Sequence, residues 1–519
     1  MAKVKQNNLF STRYLFCLIL VFCVPAIVAQ IQQGKKTTRK KIEILNADDG
    51  IITNISGERI HHLIGNIRMK HNDVLMFCDS ALYLPDKQQF TAYNNVHIEQ
   101  GDTLDLFGNY LFYDGITENA LVRDSVELID KESHLYTNTI NYDVNKRIAR
   151  YDTGGRITNA ENILTSIHGV YYASEKLFHF KDEVKIVNPD YVMTADTMDY
   201  NTLTETSYFT GPTELKGDSL YLYCERGWYD TKHEVTSIWK NALIDNRKQI
   251  VSADSLFFND STGYGEGYRN VLIQDTVNKI ALEGNFAWYY KQPEKFHVTD
   301  KAVFIQISEN DSLFMHADTI NSVTIERDSI SYRLMRAYHK CRIYSKQLQA
   351  QCDSIAYSFQ DSVIRFYKAP VLWNEESQLT SADSLALFTK NSKADKLELY
   401  NSAFITSQVD SARFNQIKGR SLTGYFKDNE LNKVIIEGNG ESLYFLIDND
   451  KVAAVNHSKC AKIEALLKDG EVTDLTEFGT PEGILDPPDA LKPGSVKLEG
   501  FSWLDSVRPK KKKDIFIDR

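Results

Sequence analysis

The sequence has few cysteines and, beyond its first thirty residues, no long apolar run. It contains seven cysteines in 519 residues, and the five that remain beyond the N-terminal apolar run are an odd number. An odd count argues against a full disulfide framework. No later apolar stretch approaches the roughly 20 residues that a membrane-spanning helix needs. We therefore expect a mature chain that does not cross a bilayer as a helix.

The sequence also lacks common catalytic signatures. HExxH, GxSxG, a P-loop and a GxGxxG after a strand are all absent. The formal charge is −10 at pH 7, so the net charge does not attract nucleic acid. His61, His62 and His71 do not predict a metal site, because adjacent residues of a strand point to opposite faces. We predict no enzymatic activity, no cofactor, no metal and no nucleic-acid partner.

The N-terminus has the pattern of a secretory signal peptide. Lys3, Lys5 and Arg13 precede or flank an apolar run that ends in Ala26-Ile-Val-Ala29. We predict a signal peptide over residues 1–29, a basic linker over 30–41, a β-repeat region over 42–480 in one domain or two tandem halves, and a Pro-containing linker with a basic tail over 481–519. The tail, with the Arg508–Lys513 cluster, is expected to be loosely ordered, and Phe501-Ser-Trp503 is a candidate docking peptide.

A repeat runs through most of the chain. The stretch Val251–Phe258 has relatives centred on a polar anchor residue, at steps of 28 to 35 residues. A period of this size is typical of stacked supersecondary units. The anchors are Asp79, Asn109, Asn138, His168, Asp196, Glu225, Asp254, Asn285, Asp318, Asp353 and Asp383.

The apolar pattern changes parity at each anchor. Apolar or small residues precede it by three and one positions, as at Met76 and Cys78, and follow it by two and four, as at Ala81 and Tyr83. Because the side-chain period of a strand is two, the anchor and its successor must face outward together. This predicts a bulge or corner at pairs such as Asp79-Ser80, where short polar side chains bond nearby backbone.

A second apolar alternation follows each anchor by about 17 residues, as at Val96 and Ile98. Each unit thus supplies two or three short strands joined by Asn, Asp or Gly turns. Stacked units predict an all-β fold, an elongated open β-jelly-roll or β-solenoid of about twelve repeats of ~29 residues with an apolar trough inside. One rung per unit gives a length of roughly 60 Å. Cys78, Cys224 and Cys352 share the small position before the anchor, which predicts buried structural thiols.

The motifs also resemble a known family. Gly65-Asn-Ile67, Met76-Phe-Cys-Asp-Ser-Ala-Leu-Tyr83 and Ala92-Tyr-Asn-Asn-Val96 are similar to the opening of an OstA-type domain, and related motifs recur at Thr194–Tyr200 and Ser252–Phe258. Over roughly residues 42 to 480 the chain resembles the OstA/LptA family of periplasmic lipopolysaccharide-transport proteins. The chain is longer than a single bridge protein of that family and lacks the large C-terminal membrane barrel of its outer-membrane member.

The resemblance implies a periplasmic carrier or bridge, with the outer membrane as its destination. It would bind lipopolysaccharide or its lipid A part in an apolar groove. Its implied partners are other OstA-like transport components, joined end to end by strand pairing, and an outer-membrane barrel. The groove is assigned to the apolar positions Ile67, Met76, Phe77, Tyr83, Val96, Ile98, Leu111, Tyr113, Val126 and Leu128.

Two other functions stay open. A structural scaffold or adhesin would have a narrow, fully packed interior, whereas a carrier needs an interior that admits acyl chains. A secreted β-helix enzyme acting on polysaccharide would show a cluster of acidic and basic residues that breaks the repeat. The basic clusters Lys35–Lys41 and Arg508–Lys513 are either solvated tails or contacts for anionic lipid headgroups or an acidic partner.

Overall fold

The computed structural model describes residues 41–517, except residues 102–103, 132, 160–161, 310, 328–329, 375–376, 391–392, 428–429, 450, 469–470 and 488–495. The predicted signal peptide and all of the basic linker except Lys41 lie outside these residues. The residues from Ile42 onward form one compact unit. Within the described part, regular structure consists of β-strands and two short 3₁₀ turns, Asp505–Val507 and Lys512–Phe516.

The strands pair in a single antiparallel sheet. In chain order they are β1 Glu43–Asn46, β2 Asp49–Ile55, β3 Glu58–His71, β4 Val74–Leu84, β5 Gln89–Gln100, β6 Leu104–Asp114, β7 Asn119–Asp130, β8 Ser133–Asp143, β9 Ile148–Tyr151, β10 Gly155–Asn159, β11 Asn162–Ser166, β12 His168–Tyr172, β13 Leu177–Val187, β14 Tyr191–Asn201, β15 Thr206–Phe209, β16 Thr213–Gly217, β17 Tyr221–Cys224, β18 Arg226–Asp230, β19 Val235–Asp245, β20 Gln249–Asn259, β21 Tyr264–Asp275, β22 Ile280–Tyr290, β23 Lys295–Gln306, β24 Leu313–Arg327, β25 Ile330–Tyr344, β26 Gln349–Ser358, β27 Val363–Tyr367, β28 Val371–Asn374, β29 Ser377–Thr380, β30 Ser384–Lys390, β31 Lys393–Gln408, β32 Phe414–Lys427, β33 Glu430–Asp448, β34 Lys451–Lys468, β35 Glu471–Phe478 and β36 Glu482–Asp486.

Most strands pair with their neighbours in the chain, so the sheet is a meander. β4 pairs with β3 and β5, and β6 pairs with β5 and β7. Some strands are interrupted at the middle: β9 and β10 together face β8, and β11 and β12 together face β13. Serial pairing of hairpins produces an elongated fold, which confirms the predicted all-β class.

One repeat unit corresponds to one hairpin of two bent strands. The unit anchored at Asp79 contains β4 and β5, and the unit anchored at Asn109 contains β6 and β7. Each hairpin advances the sheet by two strand spacings, about 10 Å in total. The condition of one rung per unit, on which the length of roughly 60 Å rests, is therefore not met, because the second apolar alternation is a full strand beside the first.

The predicted change of parity at the anchor is confirmed. In β4 the buried residues are Val74, Met76 and Cys78 before the anchor, and Ala81 and Tyr83 after it. Asp79 and Ser80 both point away from the core. The strand therefore turns a corner at this pair and buries one face on each side of it.

The extra residue at the corner belongs to the neighbouring strand. The pairing of β4 with β5 runs from Phe77↔His97 to Ser80↔Tyr93, so β5 has one residue more in this interval. Asn94 and Asn95 fill it with positive φ angles of 60° and 48°. Left-handed pairs of this kind recur at Asp124-Ser125, Asp182-Glu183, Lys240-Asn241, Arg269-Asn270, Asp300-Lys301 and Asn401-Ser402.

The anchors bond these neighbours across the sheet instead of only their own backbone. The Nδ2 atom of Asn95 donates to Asp79 at 2.8 Å, and that of Asn270 donates to Asp254 at 3.0 Å. The predicted bonding of anchors to nearby backbone thus misses their main partner. The side chain of an anchor reaches the left-handed pair because the two lie opposite each other at the corner.

The corner divides each full-length strand, and each interrupted pair such as β9 and β10, into two halves that face each other across the core. Half A carries the inner row that begins Met69, Met76, Ile98, Leu106, Leu128 and Leu135. Half B carries the inner row that begins Tyr83, Phe90, Tyr113, Ala120, Tyr142 and Ala149. The space between the two rows is the trough.

The small position before the anchor is buried in most units, as predicted, but Ala382 is exposed and Thr137 and Ile167 are only partly buried. Cys78, Cys224 and Cys352 are buried free thiols, and so are Cys341 and Cys460. Burial raises the pKa of the Cys78 and Cys224 thiols to about 12. These thiols are therefore protonated near neutral pH and act as small core residues.

The C-terminal segment docks on the protein's own sheet, so the prediction of a loosely ordered tail is wrong for residues 496–517. We call these residues the strap. The backbone of the strap bonds two buried glutamines on the outer face of half A. Gln416 Nε2 donates to the carbonyl oxygen of Val496 at 2.8 Å, and Gln378 Nε2 donates to that of Ser502 at 2.9 Å. The Phe501 and Trp503 rings pack on Phe414.

Candidate functional site

The trough holds nine of the ten predicted groove residues. Ile67, Met76, Val96, Ile98 and Val126 belong to the inner surface of half A together with Leu128, and Tyr83, Leu111 and Tyr113 belong to that of half B. All nine are buried. Phe77 is the exception: it lies on the outer face, where its ring stacks on His97 at 5.4 Å. Its neighbours Met76 and Cys78 point inward, so the alternation of the strand turns Phe77 outward.

The N-terminal part of the trough is closed by polar bonds between the free ends of the two halves. His71 at the end of half A bonds the hydroxyl of Tyr113 in half B at 2.6 Å. One hairpin further on, the Tyr142 hydroxyl donates to the side-chain oxygen of Gln100. We call these two contacts, together with the contact of Tyr171 with Asp130, the seal.

The third member of the seal is ionic. The Tyr171 hydroxyl donates to Asp130, and Lys176 Nζ bonds the same carboxylate at 2.6 Å. Burial is the first cause that raises the pKa values of Tyr113, Tyr142 and Tyr171, so these hydroxyls remain donors or neutral partners at physiological pH. Sequence reasoning placed Tyr113 in the groove as an apolar position but missed the partners of the three tyrosines, which lie 41 or 42 residues away in the chain.

The middle of the trough is open. Met193 and Leu282 in half A and Phe178 in half B remain buried. Most other residues of these two inner rows are only partly buried here, although the same rows are fully buried in the N-terminal part. In half A they are Ile186, Leu215, Leu222, Ile244, Val251 and Ile273, and in half B they are Tyr200, Tyr229, Phe258 and Phe296. Tyr289, on the inner row of half B, is 38% exposed, whereas Tyr113 on the same row is 0% exposed. We call this stretch, from β13 to β23, the open segment.

The loss of the seal explains the opening. The positions of half A that correspond to His71, Gln100 and Asp130 become Asn188, Asn246 and Asp275 in the open segment. The side chains of these three residues accept hydrogen bonds from backbone amides of their own hairpin turns. The amides belong to Asp190 for Asn188, to Lys248 and Gln249 for Asn246, and to Val277 and Asn278 for Asp275.

In β24 and β25, directly beyond the open segment, the inner rows are buried again. In half A, Met315 and Ile343 are buried, and in half B the row passes to Ser322 and Met335, which are also buried. The open segment is thus bounded on both sides by closed parts of the same trough. Its lining is apolar, with aromatic residues on half B.

The titratable residues that cluster on the outside of the sheet pair with one another. His168 bonds Asp182 at 2.9 Å, and His179 bonds Asp199, in and near a surface depression lined also by Arg150, Asp152 and Lys181. Among the described residues, no three His, Cys, Asp or Glu side chains are placed to hold a metal ion. His62 bonds Thr53 at 3.0 Å, while His71 belongs to the seal.

The edge strands of the sheet carry exposed apolar side chains. At the N-terminal end, Ile51 and Ile52 of β2 are exposed. At the C-terminal end, Ile484 and Leu485 of β36 are exposed. An edge strand has unpaired backbone groups, so both ends have the geometry that strand addition requires. In the described part of the chain, no helix has the length and apolarity to cross a membrane.

These features define a class: an all-β repeat protein with a bent antiparallel sheet around an apolar trough. Comparison with known families agrees with the motif resemblance. Residues 39–196 match the model of the family described as OstA-like protein, which is less than a third of the 519 residues. An OstA-like domain suggests a role related to lipopolysaccharide or lipid transport. No curated protein matches the chain. The family match ends at Asp196, whereas the meander of bent hairpins continues to β36.

Proposed function

We propose that this protein is a non-enzymatic periplasmic carrier that holds the acyl chains of lipopolysaccharide, or of its lipid A part, in the trough. The single observation that carries the proposal is the open segment, an apolar surface that the fold encloses elsewhere and leaves accessible here. Apolar surface exposed in a concavity is the usual character of a lipid or small-molecule site.

The energetics fit passive binding. Burial of acyl chains contributes about 0.8 kcal/mol per CH₂ group, so several chains bind strongly without any covalent chemistry. The sugars and phosphates of such a lipid stay in water outside the trough, because their burial without partners is costly. Binding of this strength makes release uphill, so directional transfer toward the outer membrane takes its energy from elsewhere.

The nine inward groove residues of the N-terminal part form the closed continuation of this site. Acyl chains reach Ile98 or Leu111 only if the seal opens, because both residues are fully buried. We assign acyl-chain binding first to the open segment and, after opening of the seal, to the predicted N-terminal groove. Phe77 has no place in either part.

The exposed edges support the proposed partners. Other OstA-like transport components would extend the sheet by pairing with β2 or β36, and one end of such a bridge would meet an outer-membrane barrel. Strand pairing continues the two inner rows into the next molecule, so a lipid would remain in a single apolar trough as it moves between proteins.

Site-specific photo-cross-linking tests the carrier proposal. Benzoylphenylalanine at Tyr289 or Leu222 is expected to cross-link to lipopolysaccharide in cells, because both positions lie on inner rows of the open segment. Tyr290 is the matched control: it is 40% exposed, against 38% for Tyr289, but lies on the outer face. Adducts from Tyr289 and none from Tyr290 support a carrier. Absence of adducts from every inward position in well-expressed variants rejects it.

The scaffold alternative is favoured by the tight packing of the N-terminal part. A scaffold predicts that filling the open segment has no functional cost. Leu222→Trp and Ile244→Trp, which add volume to the trough lining, are expected to reduce lipid cross-linking from Tyr289 while leaving the folded state intact by circular dichroism. Unchanged cellular function of these variants would favour the scaffold.

A further inference from the structure

The strap fixes a cluster of four lysines in place. Its last part is anchored by Ile515, which is fully buried against Ala281, Val303 and Ile305 on the outer face of half A. Pro509 is buried as well. A side-chain bond of 2.8 Å joins Arg508 Nε to Gln349 Oε1. Lys510–Lys513, between these anchors, are all exposed.

The backbone of the lysine cluster is also held. The amides of Lys510 and Lys511 both donate to one carboxylate oxygen of Asp514 at 3.0 Å, and Lys512–Phe516 form a 3₁₀ turn. Lys510 pairs with Asp505 at 2.6 Å, and the Lys512 ammonium lies 4.2 Å from the centre of the Phe314 ring. These contacts hold the lysine cluster in one position on the sheet, which solubility alone does not require.

The cluster lies beside the hairpin edge of the trough. Phe314, under Lys512, is the second residue of β24, so it is next to a hairpin turn at the free end of half A. Phe314 lies on the outer face opposite Ile305 of β23, whereas the next residue of its strand, Met315, pairs with Phe304 and faces the trough. β23 also bounds the open segment. The lysines are therefore placed on the outer side of the rim, close to one end of the opening.

We propose that Lys510–Lys513 bind the phosphate groups of the headgroup of a lipid whose acyl chains lie in the trough. The inference rests on the proposed function. Four ammonium groups provide a high density of donors and positive charge in a chain of net charge −10, and ammonium groups bind phosphate as point charges. Acyl chains in the open segment leave their phosphorylated headgroup in water at the rim, where the cluster is held.

The test compares bis-phosphorylated lipid A with the same lipid after removal of both phosphates, each titrated into the full-length mature protein. The wild-type protein is expected to bind the phosphorylated lipid more tightly, by roughly fivefold for each lysine engaged, since one lysine near an anionic headgroup contributes about 1 kcal/mol. The variant with Lys510, Lys511, Lys512 and Lys513 all changed to Gln is expected to lose this preference and to retain its affinity for the dephosphorylated lipid.

Two controls separate position from net charge. Changing Lys87, Lys146, Lys232 and Lys291 to Gln removes the same charge from the hairpin turns of half B, and this variant is expected to keep the preference. Ile515→Asn keeps all four lysines and the net charge but removes the buried apolar anchor, so the preference is expected to fall. Retention of the full preference in the four-lysine variant, or equal losses in both four-lysine variants, overturns the inference.

The outcomes also distinguish this inference from the carrier proposal. If the wild-type protein binds both lipids equally, the phosphate site is rejected while the carrier survives. If it binds neither lipid, the carrier is rejected, and flotation with vesicles of phosphatidylglycerol then decides the phosphate site. Equal flotation of the wild-type protein and the variant changed at Lys510–Lys513 rejects that site too.

Discussion

At the scale of the residue, the carboxylates of the anchors are stabilised in their charged form by hydrogen bonds at the corner. Asp353 accepts a hydrogen bond from Ser354, and it also bonds Lys368 Nζ at 3.1 Å and His339 Nδ1 at 3.1 Å. The bond from Ser354 is the largest cause that lowers the pKa of Asp353 to about 2, followed by the bonds from Lys368 and His339. The neighbouring donors at this corner therefore stabilise the charged form of the carboxylate more than the neutral form.

This geometry predicts an acid-dependent contribution to stability. Because the pKa of Asp353 in the folded protein lies below the ordinary value of 3.8, its contribution is fully present above about pH 4 and is lost as the pH falls toward about 2. Asp353→Asn is expected to lower the Tm at pH 7 and to have a smaller effect near pH 2. Thermal unfolding at both pH values measures this.

Asp383→Asn is the control for that experiment, since Asp383 occupies the same anchor position and receives a longer bond of 3.3 Å from Asn401. The Asp353 variant should show the larger difference in Tm between the two pH values. An equal loss of stability at pH 7 and pH 2 would contradict the assigned role of the carboxylate charge.

At the scale of the strand, the left-handed pairs are what allow a bent sheet. Asn94 and Asn95 have positive φ and stand opposite a single anchor on each side, Asp79 and Asn109. A β-branched residue strongly disfavours this conformation, whereas Asn adopts it at low cost and glycine at none. The many Asn, Asp, Ser and Lys residues at these pairs are thus selected by backbone conformation and by exposure.

The element-scale prediction concerns Asn94, whose φ is 60°. Asn94→Val is expected to destabilise the protein by about 1–3 kcal/mol, because valine in this region is strained. Asn94→Gly should change the free energy of unfolding by less than about 1 kcal/mol. Denaturant unfolding of the two variants gives the comparison. Equal effects of Val and Gly would show that the backbone conformation at the corner is not the limiting factor.

At the scale of the whole molecule, the strap and the seal stabilise different parts of the sheet. The seal joins the free ends of the two halves between β3 and β12. The strap covers the outer face of half A between β22 and β34, where Val303, Trp373 and Phe445 are buried. The open segment lies largely between the regions that these two devices hold.

Removal of the strap is expected to act on one region only. A chain that ends at residue 487 exposes the apolar outer face of half A, so backbone amides of β24–β34 should exchange hydrogen faster. Amides of β4–β8, which the seal stabilises, should exchange at the same rate as in the full chain. Hydrogen exchange followed by mass spectrometry resolves the two regions. Faster exchange throughout the sheet would contradict the separate roles.

The sequence by itself determined the hairpin unit, the inner and outer faces of the strands and the reversal of parity at the anchor. These are local properties, since the period of two and the polar pair at the corner lie within about ten residues. It also predicted that Cys78 and Cys224 are small core residues. Phe77 was assigned to the groove only because it is apolar. Its position in the strand, between the inward residues Met76 and Cys78, turns it outward.

Only the tertiary structure decided which part of the trough is open and what the C-terminal segment does. The seal depends on partners such as His71 and Tyr113, 42 residues apart, and the strap on partners such as Gln416 and Val496, 80 residues apart. A polar residue at the end of a strand can reach across the trough, as Gln100 does, or turn to its own hairpin, as Asn246 does. The local pattern is apolar in both regions, so the choice depends on how the hairpins stack in space.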